Sequence, residues 1–262
     1  MRQFQTNAGV VRIQQNRPFK VCYRGFGLAR EAAAAGARIF EASAVTSIDW
    51  QAGQSTVKTA RGSVTARFVA ICTNGYLGNL EPRLASRIMP LANHIIATAP
   101  LGEERAKDLI PSGACVFSTR HVVDYYRVSP DGRLLFGGGE TYTNRPPADV
   151  KAFVRPYMLK VFPQLADVEI DYGWSGTLGI TFNRMPHFGR LAPNGFFAQG
   201  FSGHGVAMTQ VAGKLIAEAI TGTAERFDVM ASLNLPRFPG GTLLRHPLLV
   251  LGMLYYAMLD RL

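Results

Sequence analysis

One segment near the C-terminus constrains the fold more than any other part of the chain. It reads NGFFAQGFSGHGVAMTQVAGKLIAEAITG over residues 194–222. Residues 196–198 form an apolar run that predicts a short buried strand, glycines recur from 200 to 205, and residues 206–220 have helical periodicity. This order predicts that free backbone N–H groups at the positive end of a helix lie beside a bound anion. A plain strand-to-helix turn would give the same pattern, so the spacing alone leaves both interpretations open.

Segments along most of the chain carry a family resemblance. Besides FAQGFSGHGVAMTQVAGKLIAEAI, they are GLAREAAAAGARIFE (27–41), FVAICTNGYLGNL (68–80), DYYRVSPDGRLLFGGGE (124–140), FPQLADVEIDYGWSGTLGITFNRMPHFGRLAPN (162–194) and FPGGTLLRHPLLVLGM (238–253). Together they resemble the D-amino-acid-oxidase-like FAD-dependent oxidoreductases, the group that includes glycine and sarcosine oxidases. Several ordered segments are more specific than one glycine motif, so the resemblance favours cofactor binding over a plain turn.

The resemblance implies an α/β fold in the broad sense, with two domains in an α+β arrangement. One domain would be part of a Rossmann-like FAD-binding domain, and the other an antiparallel substrate-binding sheet with covering helices. The expected bounds are 1–80 for the remaining part of the FAD-binding domain, 81–180 for the substrate-binding sheet, 181–225 for the return to the FAD-binding domain and 226–262 for an apolar C-terminal tail.

The family opens with a strand, a G-x-G-x-x-G turn and a helix that hold the FAD pyrophosphate, and this chain does not begin with that motif. The internal stretch from Gly25 to Arg30 follows a predicted strand at residues 19–23 and precedes an alanine-rich helix. We reject it as a nucleotide-binding fingerprint because Arg30 replaces the third glycine and Glu41 comes sooner than the usual spacing of about 20 residues. We therefore expect a missing N-terminal segment or a partner chain to complete the FAD site.

The resemblance implies that three parts of the chain contact FAD. Residues 44–50, 55–59 and 63–72 predict a small meander, and the apolar run at 68–72 predicts a strand buried on both faces. In the family the meander contacts the adenine, and the turn after the buried strand lies against the cofactor. The implied FAD-binding residues are Val45, Thr73, Asn74, Gly75, Gly200, Phe201, Ser202, Gly203, His204, Gly205 and Val206.

The middle of the chain predicts an antiparallel sheet covered by a helix. Turns rich in Pro, Gly and Asp separate four apolar runs, at 91–98, 114–118, 122–128 and 133–138. Apolar residues then recur with helical spacing from Val150 to Val161, with a kink expected at Pro156. By the resemblance, this sheet forms the floor of the substrate cavity.

The resemblance implies amine oxidation with FAD as the cofactor. A small-molecule amine, primary or secondary, would become an imine that hydrolyses to an aldehyde, and oxygen or another acceptor would reoxidise the flavin. Tyr126 and Arg127 lie on a predicted cavity strand, and the Arg127 guanidinium is the first candidate for binding a substrate carboxylate. Arg184 is a second candidate. A surface ion pair is the alternative role for Arg127.

No catalytic residue is assigned from the sequence. His94, His187 and His204 are candidates for placing a positive charge near the flavin ring, where it would assist the reaction with oxygen. For each of them, a hydrogen-bonded structural histidine is the alternative. The sequence therefore predicts binding residues more definitely than catalytic ones.

Charge and cysteine content narrow the functional class. The chain has 28 Lys and Arg against 18 Asp and Glu, a net charge of +10, but its 22 arginines are scattered singly. Without a basic run or a recognisable motif, we predict no nucleic-acid partner. Cys22, Cys72 and Cys115 have no C-x-x-C spacing and the histidines form no close pair, so we predict no metal site and no disulfide framework. A cytoplasmic location fits best.

The apolar tail leaves a last question. Residues 247–259 are almost wholly apolar but fall short of the roughly 20 residues that a membrane span needs. We expect a packed terminal helix, or an interfacial one beside Arg245.

For the whole chain a second function stays open, that of a non-catalytic fragment or interaction module that cannot retain FAD.

Overall fold

The computed structural model describes residues 10–13, 21–119, 123–139 and 145–259. The chain divides into two compact units, which are described separately. The first, here called the large-sheet unit, comprises Met1–Phe19, Leu91–Thr177 and His246–Leu262. The second, the glycine-turn unit, comprises Lys20–Pro90 and Leu178–Arg245. The division falls at 90/91, 177/178 and 245/246, compared with the predicted 80/81, 180/181 and 225/226. The assignment of functions to the parts remains a prediction.

The described residues form twelve strands and seven α-helices. The strands are β1 (Val10–Ile13), β2 (Val45–Asp49), β3 (Ser55–Thr59), β4 (Gly62–Ala66), β5 (Val69–Ile71), β6 (Met89–Thr98), β7 (Cys115–Ser118), β8 (Tyr125–Val128), β9 (Leu134–Gly137), β10 (Ile170–Ile180), β11 (His187–Ala192) and β12 (Gly195–Gln199). The helices are α1 (Val21–Ala34), α2 (Pro82–Ala85), α3 (Glu103–Leu109), α4 (Val150–Val161), α5 (Gly205–Ile220), α6 (Glu225–Ala231) and α7 (Gly241–Leu259). Two single 3₁₀ turns lie at Asn74–Tyr76 and Pro163–Leu165.

The large-sheet unit is built on a six-stranded sheet in the order β1-β7-β8-β9-β6-β10. The pairs β1–β7, β7–β8, β8–β9 and β6–β9 are antiparallel, which confirms the predicted arrangement. The predicted strand at 122–128 is β8, and residue 122 lies outside the described residues. Ile96 and Phe136 of the sheet pack with Val154 and Met158 of α4 in one buried cluster. One face of the sheet therefore carries the core of this unit.

Helix α4 forms where the apolar spacing predicted it, from Val150 to Val161. The carboxylate of Asp149 caps its start by accepting a hydrogen bond from the N–H of Ala152 at 3.0 Å. Pro156 lies inside the helix, which continues past it because Val154 and Met158 are fully buried against the sheet. Tertiary packing thus offsets the hydrogen bond that proline cannot donate.

The glycine-turn unit contains a three-stranded sheet in the order β11-β12-β5, with β5 parallel to β12. All five residues of β12 are buried, as the apolar run predicts. Helices α5 and α6 pack on this sheet through a cluster that includes Phe196, Leu215 and Phe227. The predicted sequence of strand, glycine turn and helix is confirmed, with α5 beginning at Gly205.

The meander β2-β3-β4 forms a separate small sheet, and here two predictions are wrong. The run at 63–72 is not one strand, because β4 pairs with β3 whereas β5 pairs with β12, and the chain bends at Arg67 between them. The run at 68–72 is not buried on both faces either, since Phe68 is 37% exposed and Ala70 is exposed. Within the described residues β5 is an edge strand that pairs with β12 alone, and of its three residues only Ile71 is buried.

The predicted strand at 19–23 is also wrong where it can be checked. Residues 21–23 begin α1, while 19 and 20 lie outside the described residues. Alanine, leucine, arginine and glutamate are strong helix formers, and the helix that they favour extends back to Val21. Gly25 and Arg30 therefore lie within one helix, which supports rejecting this stretch as a dinucleotide fingerprint.

Helix α7 contains the apolar tail and runs through Pro247. The Arg245 guanidinium donates to the carbonyl oxygens of Ala85 and Ile88, the latter at 2.7 Å, and burial lowers its pKa. Leu243 beside it is 84% exposed, so the helix is anchored by Arg245 and not by that leucine. Among the helices of the described ranges, none combines the length and apolar character needed to cross a membrane.

Candidate functional site

The glycine-rich turn follows β12 directly, and its backbone takes the left-handed conformation three times. The φ angles are +72° at Gly200, +50° at Ser202 and +93° at Gly203. At Gly200 a Cβ atom would lie 2.3 Å from Cγ2 of Thr181, so only glycine fits. At Gly203 the angle favours glycine equally, but no protein atom lies within 4 Å of the added Cβ position. The turn is packed on its inner side and open at Gly203.

The start of α5 leaves its first backbone donors without intrahelical partners, as every α-helix does. His204 occupies the N-cap position, and its side chain makes no capping hydrogen bond. No acidic residue lies in the first turn, and His204 and Val206 are exposed. The positive helix end is therefore accessible and uncompensated, as an anion-binding site requires.

The turn after β5 meets the glycine-rich turn directly. The carboxamide oxygen Oδ1 of Asn74 accepts a hydrogen bond from the N–H of Gly200 at 2.9 Å. Asn74 itself has a φ of +48°, a conformation that asparagine adopts more readily than most residues. Two of the three segments implied by the resemblance are thus brought together. Val45, which represents the third, is 37% exposed at the start of β2 and pairs with Thr59.

The end of β10 completes this arrangement, and the sequence did not single it out. The carbonyl oxygen of Gly179 accepts from the N–H of Ser202 at 3.0 Å. The Ser202 hydroxyl lies 3.3 Å from the N–H of Thr181, which donates to it. A Cβ atom on Gly179 would lie 2.4 Å from Oδ1 of Asn74. A glycine inside a predicted strand is a sequence signal for such a close approach.

One buried polar atom at this site has no partner within the described part of the chain. The Thr73 hydroxyl oxygen is shielded from solvent and makes no hydrogen bond there. Leaving a buried hydroxyl unpaired typically costs about 1 to 3 kcal/mol. Thr73 precedes Asn74, so this oxygen lies beside the residue that holds Gly200. The donor set and the open turn fit a polar, anionic cofactor.

Arg184 and His187 lie on the loop that leads from β10 to β11. Arg184 is exposed with a φ of +62°, and no carboxylate in the described residues pairs with its guanidinium. His187 is buried, with its ring edge against Phe197 and Nδ1 3.3 Å from Nε2 of Gln199. Burial, together with the charge of Arg87, lowers the pKa of His187 to about 4. His187 is therefore neutral at physiological pH and places no positive charge.

In the large-sheet unit the predicted substrate residue Tyr126 lies in the core. Its ring stacks on Phe136 at 5.7 Å and meets Phe162 edge-on at 4.9 Å. Burial raises the pKa of its phenol. Because side chains alternate along a strand, its neighbours Tyr125 and Arg127 lie on the opposite face of the sheet.

That opposite face carries the polar side chains. The Tyr125 phenol donates to the carboxamide oxygen of Asn93, and its ring covers Gly137, where a Cβ atom would lie 2.1 Å from ring carbons. Nε of Arg127 reaches only the carbonyl oxygen of Val128, at 3.4 Å, and no ion pair is formed by Arg127 within the described ranges. Tyr125 and Asn93 were not predicted from the sequence.

His94 lies on the covered face of the same sheet. It is fully buried, its Nδ1 is 2.7 Å from the Ser175 hydroxyl, and its ring meets Phe153 of α4 edge-on at 5.4 Å. Burial lowers its pKa. These contacts are those of a hydrogen-bonded structural histidine. Of the three candidate histidines, His204 alone is exposed at the candidate site.

Comparisons with known proteins place this geometry in a family. The family model described as FAD dependent oxidoreductase matches residues 25–219. Gamma-glutamylputrescine oxidoreductase of Escherichia coli (strain K12) is 49% identical over 228 residues, which are 87% of this chain and 53% of that protein. The probable oxidoreductase OrdL of Rhizobium meliloti (strain 1021) is 43% identical over 235 residues, 90% of this chain and 54% of that protein.

Solved structures agree on the fold. Glycine oxidase from Geobacillus kaustophilus superposes with a TM-score of 0.68 at 22% identity, covering 82% of this chain and 57% of that one. The chain thus spans about half the length of the relatives that it matches. The shared fold confirms the predicted α+β class. With the family model covering most of its length, the chain belongs to the FAD dependent oxidoreductase family.

Proposed function

We propose that this chain forms the flavin-side and substrate-side part of an FAD-dependent amine oxidase. Its substrate would be gamma-glutamylputrescine or a related primary or secondary amine, as the name of the 49% identical relative suggests. The observation that carries the proposal is the contact between Asn74 and Gly200, which joins two implied FAD-binding segments beside the uncapped start of α5. A preceding segment or a partner chain would supply the pyrophosphate-binding half.

The residues present fit FAD in three respects. The unpaired Thr73 hydroxyl offers a polar contact, the left-handed Gly203 leaves space in front of the turn, and the first amides of α5 favour negative charge. Gly75, Phe201 and Gly205 border the same two turns. These groups would hold the cofactor and stabilise the negative charge that it gains on reduction.

The chemistry that FAD supplies when bound is two-electron oxidation of the amine at its α-carbon. The product imine would take up water to give an aldehyde and release ammonia from a primary amine, or an amine from a secondary one. Oxygen would take the two electrons and two protons to become hydrogen peroxide. This chain's part in that reaction is to bind and orient the substrate. Arg127, without an acidic partner among the described residues, is suited to pair with a carboxylate such as that of a γ-glutamyl group. Arg184 is the second such group.

Such an oxidase would act in amine breakdown, with putrescine catabolism the assignment that the relative's name favours. We place it in the cytoplasm because no cysteine pair suited to a structural disulfide is apparent in the sequence. The scattered arginines, which form no basic run, favour a small-molecule substrate over a nucleic acid.

The alternative function is a non-catalytic fragment or interaction module that cannot retain FAD. The exposed edge of β5, with Phe68 37% exposed and Ala70 exposed, favours it for the isolated chain. An edge strand with unpaired backbone groups is a template for pairing with another chain. The two functions differ in whether the 262-residue chain turns over an amine.

The test is anaerobic reduction followed by reoxidation. The purified chain, loaded with FAD, is mixed with gamma-glutamylputrescine while the flavin absorbance is followed, and air is then admitted and peroxide measured. The proposal predicts bleaching, and one peroxide for each aldehyde formed. Loaded protein that keeps its oxidised spectrum with this amine and with other amines would favour the non-catalytic alternative. The Arg127→Met variant, which loses the guanidinium at similar length, should raise KM more than it lowers kcat.

A further inference from the structure

The side chain of Asn74 is built into the protein on both sides of its carboxamide oxygen. Oδ1 accepts the N–H of Gly200 at 2.9 Å, and Gly179 lies so close that a Cβ there would approach this oxygen to 2.4 Å. Three chain segments, after β5, at the end of β10 and after β12, therefore meet at one oxygen atom. A side chain used in this way acts on the protein's own backbone.

The hydrogen bond of the Gly200 N–H fixes the first residue of the turn. Gly200 comes directly after β12, whose five residues are buried, and just before the left-handed Ser202 and Gly203. The N–H of Ser202 is fixed in turn by the carbonyl oxygen of Gly179 at 3.0 Å. Two hydrogen bonds thus set the path of the turn, and with it the direction of the first α5 amides.

We propose that Asn74 is a positioning residue that acts through Gly200, and that its role is to orient the glycine-rich turn for the anionic cofactor. It was predicted as an FAD contact; here its carboxamide oxygen is engaged by the protein itself. The inference rests on the proposed function, because the oriented amides need an FAD to bind. The first consequence is that Asn74 fixes the conformation of the turn, and this can be tested in the chain without FAD.

Asn194 provides a matched control at the other end of β12. Its Nδ2 donates to the carbonyl oxygen of Arg67 at 2.9 Å and to the Ser55 hydroxyl at 3.2 Å, in a buried setting. The five residues of β12 separate Asn194 from Gly200, and the two lie roughly 20 Å apart along the extended chain. The two asparagines thus make bonds of equal length in one unit, but only Asn74 contacts the turn.

The experiment compares Asn74→Gly with Asn194→Gly in the full chain. Glycine removes the carboxamide and tolerates the φ of +48° at position 74, so strain does not confuse the result. Hydrogen exchange over residues 200–206 and FAD affinity are both measured. Asn74→Gly should speed exchange in this segment and raise the Kd for FAD, each roughly tenfold, the value of one lost hydrogen bond. Asn194→Gly should change both by less than about twofold.

Two further variants serve as controls for the hydrogen-exchange comparison. Asn74→Asp keeps an acceptor oxygen and tolerates the same backbone, so it should restore slow exchange in the segment. If Asn74→Gly does not fold, Gly179→Ala crowds the same oxygen, together with Cδ1 of Ile88, without changing residue 74, and it should speed exchange in the same place.

The outcomes separate the two proposals. Wild-type exchange and wild-type FAD affinity in Asn74→Gly would overturn the positioning role, and so would equal effects from Asn194→Gly. If the wild-type chain takes up no FAD, the proposed function fails for this chain. The exchange comparison alone then decides whether Asn74 holds the turn.

Discussion

Two glycine clusters in this protein differ in their surroundings. In the large-sheet unit, added Cβ atoms at Gly137, Gly138 and Gly139 would lie within 3 Å of the side chains of Tyr125, Asp124 and Tyr157, so the protein itself fills the space. In the glycine-turn unit, the space in front of Gly203 holds no protein atom within 4 Å. The first cluster serves packing. The second leaves backbone exposed, which is what binding of an anionic cofactor requires.

Polar groups differ in the same way. In the large-sheet unit His94 bonds Ser175, and Arg133 pairs with Asp131 and Asp171. In the glycine-turn unit the Thr73 hydroxyl and the start of α5 lack partners among the described residues. In the described part of the chain, buried unpaired atoms also occur away from the turn, at Arg155 and Asn194, so the Thr73 hydroxyl supports a binding site only together with the open turn beside it.

The largest loss of stability is expected at a glycine where other side chains of the protein occupy the space of an added Cβ atom. In Gly137→Ala the new methyl would lie 2.1 Å from Tyr125 ring carbons, so the ring must leave its place. We expect a loss of about 3 kcal/mol in the free energy of unfolding, measured by urea titration. Combining it with Tyr125→Ala should recover part of the loss. An unchanged midpoint would break the contrast between the two clusters.

The pH dependence tests the base of the open turn, because His187 contacts Gln199, the residue before Gly200. Its folded pKa of about 4 lies below the unfolded value of about 6.5. Below pH 6.5 the unfolded chain binds a proton that the folded chain does not, so stability falls as the pH drops toward 4.

This single group should account for about 2 to 3 kcal/mol between pH 7 and pH 4. His187→Asn should flatten the stability curve by that amount, as measured by urea unfolding at each pH. His94, whose pKa is also lowered by burial, remains in the variant and keeps part of the slope. Identical slopes in the two proteins would show that His187 is not held neutral by the fold.

Gly203→Ala should lower the free energy of unfolding less than Gly137→Ala does. It should lower the affinity for FAD more. The left-handed backbone at φ +93° penalises alanine by about 1 to 2 kcal/mol, but no atom obstructs the methyl. Thermal unfolding gives the first effect. Titration with FAD gives the effect on binding. We expect the Kd to rise at least tenfold, because the methyl points into the open space in front of the turn. Unchanged affinity would place the cofactor elsewhere.

The smallest effect is expected at Gly213, an exposed position inside α5. Gly213→Ala meets no atom within 4 Å and removes a poor helix former, so stability should rise by up to about 1 kcal/mol. FAD affinity should stay unchanged. This variant is the control for Gly203→Ala, since both make the same chemical change within one turn-and-helix segment.

Local pattern predicted much of the fold. The spacing of apolar residues predicted α4, and the apolar run with its glycines predicted β12 and α5, because these elements depend on near neighbours in sequence. The single strand predicted at residues 63–72 was wrong because the exchange of partners at Arg67 depends on β12, which is distant in sequence.

The site was harder to predict for the same reason. Tyr126 was predicted to line the substrate cavity but packs in the core, because a shift of one residue along a strand exchanges its faces. Gly179 and Thr181 were missed because their contacts to Asn74 and Ser202 join parts of the chain far apart in sequence. The glycine turn itself was predictable, since its conformation depends on glycines that are adjacent in sequence.

The most direct test of the open glycine turn is titration of the purified 262-residue chain with FAD, followed by visible absorption, beside Gly203→Ala and Gly213→Ala. The structure predicts saturable uptake by the wild-type chain and by Gly213→Ala, with binding weakened at least tenfold in Gly203→Ala. A chain that takes up no FAD would favour the non-catalytic alternative that cannot retain the cofactor. Three proteins that bind FAD alike would contradict the assignment of this turn as the cofactor site.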